Sequence, residues 1–412
     1  MAHRATARTF DLSSLEMKEQ PFPMLARMRE AGPLIRARLS FFGEVWLATT
    51  FESVNELLRD HDRFVQNPVL AGNRLMAGII YWLPRSLRPI ATNMLLRDPP
   101  DHRRLRALVD QAFHRHSVEA LQPRIEKLAD DALDVLAEQA SRSPGGVDLI
   151  AHFARPFPLA VICEILGLPP EDRPQFTRWA AGFSTASSLL SIVWGLRGIS
   201  KLMRYVSEEV QRQAKCPRDG LLAALIQAEA EGDKLSEDEL VAMVFLILAA
   251  GHETTLHQIA GSVLTLLDHP DQLRALKADW GLAESATQEL LRYISFAQVT
   301  KPRYVREDTE FYGRTIRKGE MVFGCLASAN TDPLVFENPD RLDLGRSPNR
   351  HIAFGTGIHV CLGAKLARAE IAIALERLFT RFPDVRLAVP RSRVKYSRRP
   401  GTRGLVALPV MW

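Results

Sequence analysis

The sequence predicts a mainly α protein with a small β-rich region, and three observations carry this. Amphipathic stretches with helical spacing dominate the chain from Asp98 to Ile294. Period-two alternation is confined to short runs near the two ends. No internal repeat or low-complexity linker interrupts the pattern. The 412 residues are 46% hydrophobic and 25% charged, an ordinary globular balance that excludes a disordered or collagen-like chain. At about 100–200 residues per domain, length alone suits two or three domains.

The elements follow in order. Pro33–Thr50 alternates like a strand pair, with Phe41–Glu44 as its turn, and Phe51–Arg59 places Val54, Leu57 and Leu58 on one helical face. Pro99-Pro100-Asp101 opens a helix through Phe113, since proline suits a first turn. Val118–Ala140, Leu149–Leu166, Pro174–Ser184, Gly198–Gln213 and Leu221–Ala230 are further helices. Ser236–Asp238 caps a long one that runs to about Asp268. Pro270–Asp279 and Leu282–Ile294 follow, then strand signals at Phe311, Ile316 and Met321–Cys325. A Pro/Asn-rich irregular stretch, Asn330–Asn349, leads to a glycine-rich loop and a last helix over Leu362–Phe379. Val385–Val389 and Leu405–Val410 read as closing strands.

Charge and cysteines narrow the class. Lys and Arg number 53 against 48 Asp and Glu, a net of +5 that is too small to argue for nucleic acid. Cys163, Cys216, Cys325 and Cys361 are far apart, which argues against a disulfide scaffold or a structural zinc site. Met1–Phe10 has no apolar core, and neither Leu240–Gly251 nor the serine-diluted Trp179–Leu196 reads as a transmembrane span. A cytoplasmic location is expected, where unpaired thiols are at home.

One cysteine stands out. Phe354-Gly355-Thr356-Gly357-Ile358-His359-Val360-Cys361-Leu362-Gly363 holds three glycines in ten residues and runs into an amphipathic helix. Unpaired backbone N–H groups at a helix start favour a thiolate, and a thiolate held there suits a metal that needs an electron-rich ligand. Cys163, Cys325 and Cys216 read as two core residues and a loop residue.

The loop closely resembles the haem-binding signature of the cytochrome P450 monooxygenases, Phe-Gly-x-Gly-x-His-x-Cys-x-Gly, and matches it at every fixed position. The resemblance makes Cys361 the axial ligand of a haem b (iron protoporphyrin IX), with Phe354, Gly355 and Gly363 around it. It extends to the long helix, where Ala249-Ala250-Gly251-His252-Glu253-Thr254 is similar to the family's oxygen-binding motif. Gly251 costs roughly 1 kcal/mol against alanine inside a helix, which fits close approach to a ligand. Ala250 and Gly251 would lower the helix wall, Glu253 would relay protons, and Thr254 would organise them at dioxygen. A threonine there can equally bond back to the carbonyl one turn earlier. Glu289-Leu290-Leu291-Arg292 resembles the family's buried Glu-x-x-Arg, for which Arg341 is the first choice of third partner and Arg346 the second. His102, Arg106, Arg303 and His351 are the expected anchors for the two haem propionates, which need cations in an apolar pocket.

The resemblance covers about Pro21 to Pro409 and implies one haem domain over residues 1–412. Its β-rich part would take about residues 20–70, 295–325 and 383–412, and its helical part about 98–294 and 350–380. The implied reaction inserts one oxygen atom from dioxygen into a hydrophobic small molecule. Electrons would come from a separate ferredoxin system, docked on basic residues of the cysteine side: Arg103, Arg104, Arg115, Lys365 and Arg368. Two apolar lid segments, Leu75–Leu87 and Phe183–Ile199, and the long helix would set substrate choice. The pocket candidates are Ile79, Ile80, Trp82, Leu190, Met243, Leu246, Ile247 and Val299. A peroxide-using haem-thiolate enzyme and a non-catalytic haem sensor are the alternatives. The Glu253–Thr254 pair argues against both.

Overall fold

The structure, a computed structural model, describes residues 10–39, 42–81, 93–114, 118–176, 179, 189–230 and 233–412. The chain groups into two units. The first takes residues up to Arg74, Gly261–Cys361 and Val389–Val406; the second takes Leu75–Ala260, Leu362–Ala388 and Ala407–Trp412.

The first unit is built on a six-stranded sheet in the order Phe10–Asp11, Leu34–Leu39, Gly43–Ala48, Met321–Gly324, Arg303–Val305, Phe64–Val65. Leu34–Leu39 and Gly43–Ala48 form the expected antiparallel pair, with Arg36 opposite Trp46. Alternation divides their side chains between two cores. Leu34, Trp46, Ala48 and Val322 pack with Val54, Leu57 and Leu58 of the helix Phe51–Arg59. Ile35, Ala37, Val45, Leu47 and Phe323 pack with Met24, Leu25 and Met28 of the helix Pro21–Glu30. A sheet covered on both faces needs apolar residues at both parities, and the sequence supplies them. Thr50 and Ser53 close the start of Phe51–Arg59 with a reciprocal cap.

The second unit is helical. Asp101–His114, Val118–Ser141, Pro156–Leu166, Leu189–Lys215, Leu221–Gln227 and Ala364–Arg381 belong to it, as does Glu237–Asp268 up to residue 260. Ala364–Arg381 packs along Val118–Ser141, with ion pairs Arg377–Glu126 and Arg381–Asp134 both at 2.5 Å. The long helix starts where Ser236 and Glu239 cap each other: Ser236 N–H donates to the carboxylate at 2.9 Å and Glu239 N–H to Ser236 Oγ at 3.3 Å. Among the described residues this helix alone is long and apolar enough to cross a membrane, and 61% of its most apolar window is buried within the protein.

Several elements depart from the sequence expectation, among them Gly198–Gln213, which is the later part of a longer helix, Leu189–Lys215. Leu149–Leu166 is not one α-helix but a π-helical turn, Ile150–Ala154, followed by Pro156–Leu166. Pro156 and Pro158 have no N–H to continue an α ladder, and Arg155 N–H donates instead to Ile150 O, five residues back. Leu221–Ala230 stops at Gln227, because Glu229–Ala230 pairs with Asp233–Lys234. The closing strands, assigned above to the N-terminal β part, pair elsewhere: Pro409–Met411 lies between Arg386–Leu387 and Val147–Asp148 in the second unit. Of Pro174–Ser184, only the part up to Phe176 and Trp179 falls within the described residues.

Candidate functional site

The cysteine loop is organised from beneath by a buried ion pair. Glu289 and Arg292, on the helix Ala283–Ile294, are both fully buried and meet at 2.7 Å through two parallel hydrogen bonds. The third partner is Arg346, not Arg341. Arg346 Nε reaches Glu289 at 3.0 Å, whereas Arg341 offers only its backbone carbonyl, to Arg292 and Arg346. Asn349 Nδ2 and Asp343 N–H also donate to the Glu289 carboxylate, each at 3.1 Å. Burial of two charges is tolerable only with this degree of hydrogen bonding.

Arg292 carries the network to the loop. Its Nη1 donates to Asn330 O at 2.9 Å and to Pro339 O at 2.8 Å. Asn330 Oδ1 then accepts from Ile352 N–H at 2.8 Å, two residues before Phe354. In the sequence Asn330 is legible only as the start of the irregular stretch Asn330–Asn349; its side-chain role has no periodic signal. Cys361 N–H donates to Phe354 O at 3.0 Å, closing the loop on itself. Gly357 takes φ +74°, and a Cβ there would lie 2.5 Å from Leu58 O, so only glycine fits.

Cys361 is exposed and stands just before the helix Ala364–Arg381, whose cap is Gly363. Cysteines 163 and 325 are buried, and burial pushes their thiols up to about 12 and about 11. Cys216 is exposed in its loop. Among the described residues no three His, Cys, Asp or Glu side chains are grouped to hold a bare metal ion. A metal bound by Cys361 must therefore bring most of its ligands with it, as a porphyrin does. A Cβ at Gly355 or Gly363 would meet nothing within 4 Å, so both glycines border open space. The donor and its surroundings fit a haem thiolate.

The expected propionate anchors differ in setting. Arg303 lies in the strand Arg303–Val305 of the first unit and is 1% exposed. His102 is 2% exposed on the helix Asp101–His114, where Arg106 pairs with Asp110 at 3.0 Å. His351 lies in the first unit, where Ala353 N–H donates to its Nδ1 at 3.2 Å, so the proton is on Nε2, which donates to Gln288 Oε1 at 2.8 Å. Both ring nitrogens are thus engaged within the first unit. Of the basic docking residues, Arg104 is spent on an ion pair with Glu239, and Arg115 lies outside the described residues. Arg103 and Lys365 are exposed and Arg368 half-buried.

On the long helix, Thr254 Oγ1 donates to Ala250 O at 2.8 Å, the back-bonded alternative. Ala250 and Thr254 are exposed, and Leu246, Gly251 and Glu253 half-buried, which leaves an accessible stripe on an otherwise buried helix. A Cβ at Gly251 would sit 2.8 Å from the Ile162 side chain, so this glycine serves helix packing within the second unit. His252 is buried and bonded to the Arg155 backbone, and burial holds its imidazole down to about 4, in the neutral form. Met243 and Ile247, nominated for the pocket, are 2% and 7% exposed and turn into the core, so Leu246 is the accessible one of the three. Val299 is half-buried in the first unit. Trp82 lies outside the described residues, as do the side chains of Ile79, Ile80 and Leu190.

Comparison with known proteins places this arrangement. A cytochrome P450 family model matches residues 198–395. The polyketide biosynthesis cytochrome P450 PksS of Bacillus subtilis is 37% identical over 400 residues, 96% of each chain. Among solved structures, myxobacterial cytochrome P450 CYP267B1 in complex with myristic acid has a TM-score of 0.88 and 40% identity, covering 97% of this chain and 98% of its own. P450BioI, solved in complex with an acyl carrier protein ligated to hexadec-9Z-enoic acid, has a TM-score of 0.83 and 35% identity, covering 97% and 100%. Identity at this level, sustained along nearly the whole length in sequence and backbone alike, means that the chain belongs to the cytochrome P450 family and is a haem-dependent monooxygenase.

Proposed function

We propose that this enzyme oxidises a long acyl or polyketide chain in the cytoplasm, using haem b ligated by the Cys361 thiolate and electrons from a separate ferredoxin system. The Cys361 loop is the observation that carries the reading: one exposed thiol before a helix, braced by Arg292 and Asn330. Haem b supplies the oxygen-activating chemistry when bound. The chain supplies the ligand, the protons and the substrate's orientation. Arg106 and Arg303 supply cations, and His102 and His351 supply ring N–H donors, suited to the propionates. Glu253 takes up a proton from solvent and passes it through water to Thr254 Oγ1. That hydroxyl is then free to donate once it gives up its bond to Ala250 O.

The substrate class is drawn from the relatives, one named for polyketide biosynthesis and two solved with fatty acyl ligands. The accessible Leu246 and the largely apolar lid segments agree with a hydrophobic guest. Ligand binding should shift the haem iron from low to high spin. A screen of free fatty acids and macrolide-type polyketides, read by that shift, tests the class; a response to terpenoids alone would overturn it. Product from dioxygen and a ferredoxin system, and none from hydrogen peroxide alone, separates the monooxygenase from a peroxygenase.

A further inference from the structure

The whole positive surplus of this chain lies in one hairpin. Residues 391–403 hold six basic residues (Arg391, Arg393, Lys395, Arg398, Arg399 and Arg403) and no acidic one. Removing these six from the 53 basic residues leaves 47 against 48 acidic, so the rest of the chain is net −1. The stretch is built rather than loose. Ser397 N–H donates to Gly404 O at 2.7 Å and Val406 N–H to Lys395 O at 2.9 Å, pairing the two arms. The tip is pinned by Gln298 N–H to Gly401 O at 2.9 Å and Arg403 N–H to Phe296 O at 2.7 Å.

Arg391 and Arg403 are tied to residues outside the hairpin, and Lys395 Nζ donates to Ser392 O at 3.2 Å within it. Arg391 pairs with Asp268 at 2.8 Å, and Arg403 donates to Lys18 O at 2.7 Å while lying over the Tyr396 ring. Arg393, Lys395, Arg398 and Arg399 are exposed. Among the described residues no carboxylate pairs with Arg393, Lys395 or Arg398. A fixed cluster of like charges raises the local potential and selects an anionic partner.

We propose that this hairpin docks an acidic acyl carrier protein, which presents the substrate chain to the enzyme. The inference rests on the reading of the substrate as an acyl or polyketide chain. Two observations favour this occupant. The hairpin tip is bonded to the segment that carries Val299, a pocket candidate, and a Cβ at Gly401 would lie 2.7 Å from Val299 Cγ2. A partner held at the tip is therefore next to a residue expected to touch substrate. The cysteine loop, by contrast, touches Leu58, Arg59 and Gln288, and among the described residues no hydrogen bond or ion pair joins these three to the hairpin. An electron donor serving Cys361 has no reason to sit on the hairpin. Nor does the hairpin suit a lipid surface: Tyr396, the one aromatic residue in 391–403, is 8% exposed and so is not available to enter a membrane interface.

The test uses the haem-loaded enzyme and a phosphopantetheinylated acyl carrier protein without an acyl group, so that docking is read apart from substrate chemistry. Binding is measured by fluorescence anisotropy for wild type and for the triple variant Arg393→Glu, Lys395→Glu, Arg398→Glu. The expected result is binding that weakens with salt and at least 10-fold in the variant. The ferrous–CO band and the spin shift with free fatty acid should stay unchanged. Equal carrier affinity in the two proteins, or none in wild type, overturns the proposal whatever the free acid does. Capture of wild type by anionic phosphatidylserine vesicles but not by carrier, or a loss in the variant confined to ferredoxin, also overturns it. Absence of a spin shift with free acid or acyl carrier, while carrier docking persists and depends on the hairpin, overturns the substrate reading alone.

Discussion

Replacing Glu289 by glutamine tests how far the cysteine loop depends on the ion pair beneath it. The carboxylate accepts from Arg292 twice at 2.7 Å, from Arg346 at 3.0 Å, and from Asn349 and Asp343 at 3.1 Å. An amide keeps one acceptor oxygen and turns an NH₂ group towards guanidinium donors. Arg292 stays behind as a fully buried cation without its counterion. Removing one partner of such a pair costs about 3–5 kcal/mol. Total stability is on the order of 5–15 kcal/mol, so the loss is a large fraction of it. The urea slope rises with chain length, and at about 3 kcal/mol/M the unfolding midpoint should fall by roughly 1–1.7 M. Tryptophan fluorescence follows the transition, and the red-shifted ferrous–CO band reports the thiolate in parallel. Arg341→Ala is the internal control, because only its carbonyl joins the network; it should stay within about 0.5 kcal/mol of wild type. Arg346→Ala should be clearly destabilised. A Glu289→Gln protein that loses less than about 1 kcal/mol and keeps its full band would refute the reasoning.

Three further outcomes are expected. Cys361→Ala should lose the red-shifted ferrous–CO band while Cys163→Ala keeps it, and iodoacetamide near pH 8 should label Cys361 and Cys216 in the haem-free chain but not the high-pKa thiols of Cys163 and Cys325. Thr254→Ala should leave substrate binding and the CO band intact while product formed per dioxygen consumed falls several-fold; unchanged coupling would remove Thr254 from proton delivery. Glu370 is fully buried, its Oε2 has no hydrogen-bond partner among the described residues, and burial raises its pKa well above the usual carboxylate range. A raised folded-state pKa contributes stability below the unfolded value near 4.5 that is lost as pH climbs through the folded value. Glu370→Gln should therefore unfold at higher urea than wild type near pH 8 and match it near pH 4; a destabilised variant at pH 8 would show that the ionised carboxylate is wanted.

How much of this was legible in the sequence depends on whether a feature is periodic or local. Phe51–Arg59 is read correctly to the residue, because Thr50, Ser53 and the Val54–Leu57–Leu58 face all lie within one short window. The Cys361 loop is legible for the same reason, since its residues stand at fixed spacing along one strand of chain. The sequence does not single out Arg346 over Arg341, because the stretch Asn330–Asn349 has no period to say which side chain turns inward. Pro409–Met411 finds Val147–Asp148 across some 260 residues, and a two-residue strand has too little pattern to announce its partner. The turn at Ile150–Ala154 reads as α-helix until the two prolines after it are counted as missing donors.

The irregular stretch beyond the helix Ala283–Ile294 invites treatment as an ordinary connection, and connections usually accept insertions and sequence drift. Here Asn330, Thr331 and Asp332 are at most 3% exposed, and the carbonyls of Asn330, Pro339 and Arg341 are all spent on one guanidinium. The stretch is closer to a keystone than to a hinge. Lengthening it by a single residue would move carbonyls off Arg292 and move the start of the cysteine loop with them. Cofactor binding then works in the opposite direction: whatever holds haem in the folded chain stabilises these bonds by mass action. Loss of haem should therefore register as softening around residues 330–349, readable by hydrogen exchange, before any helix of the second unit gives way.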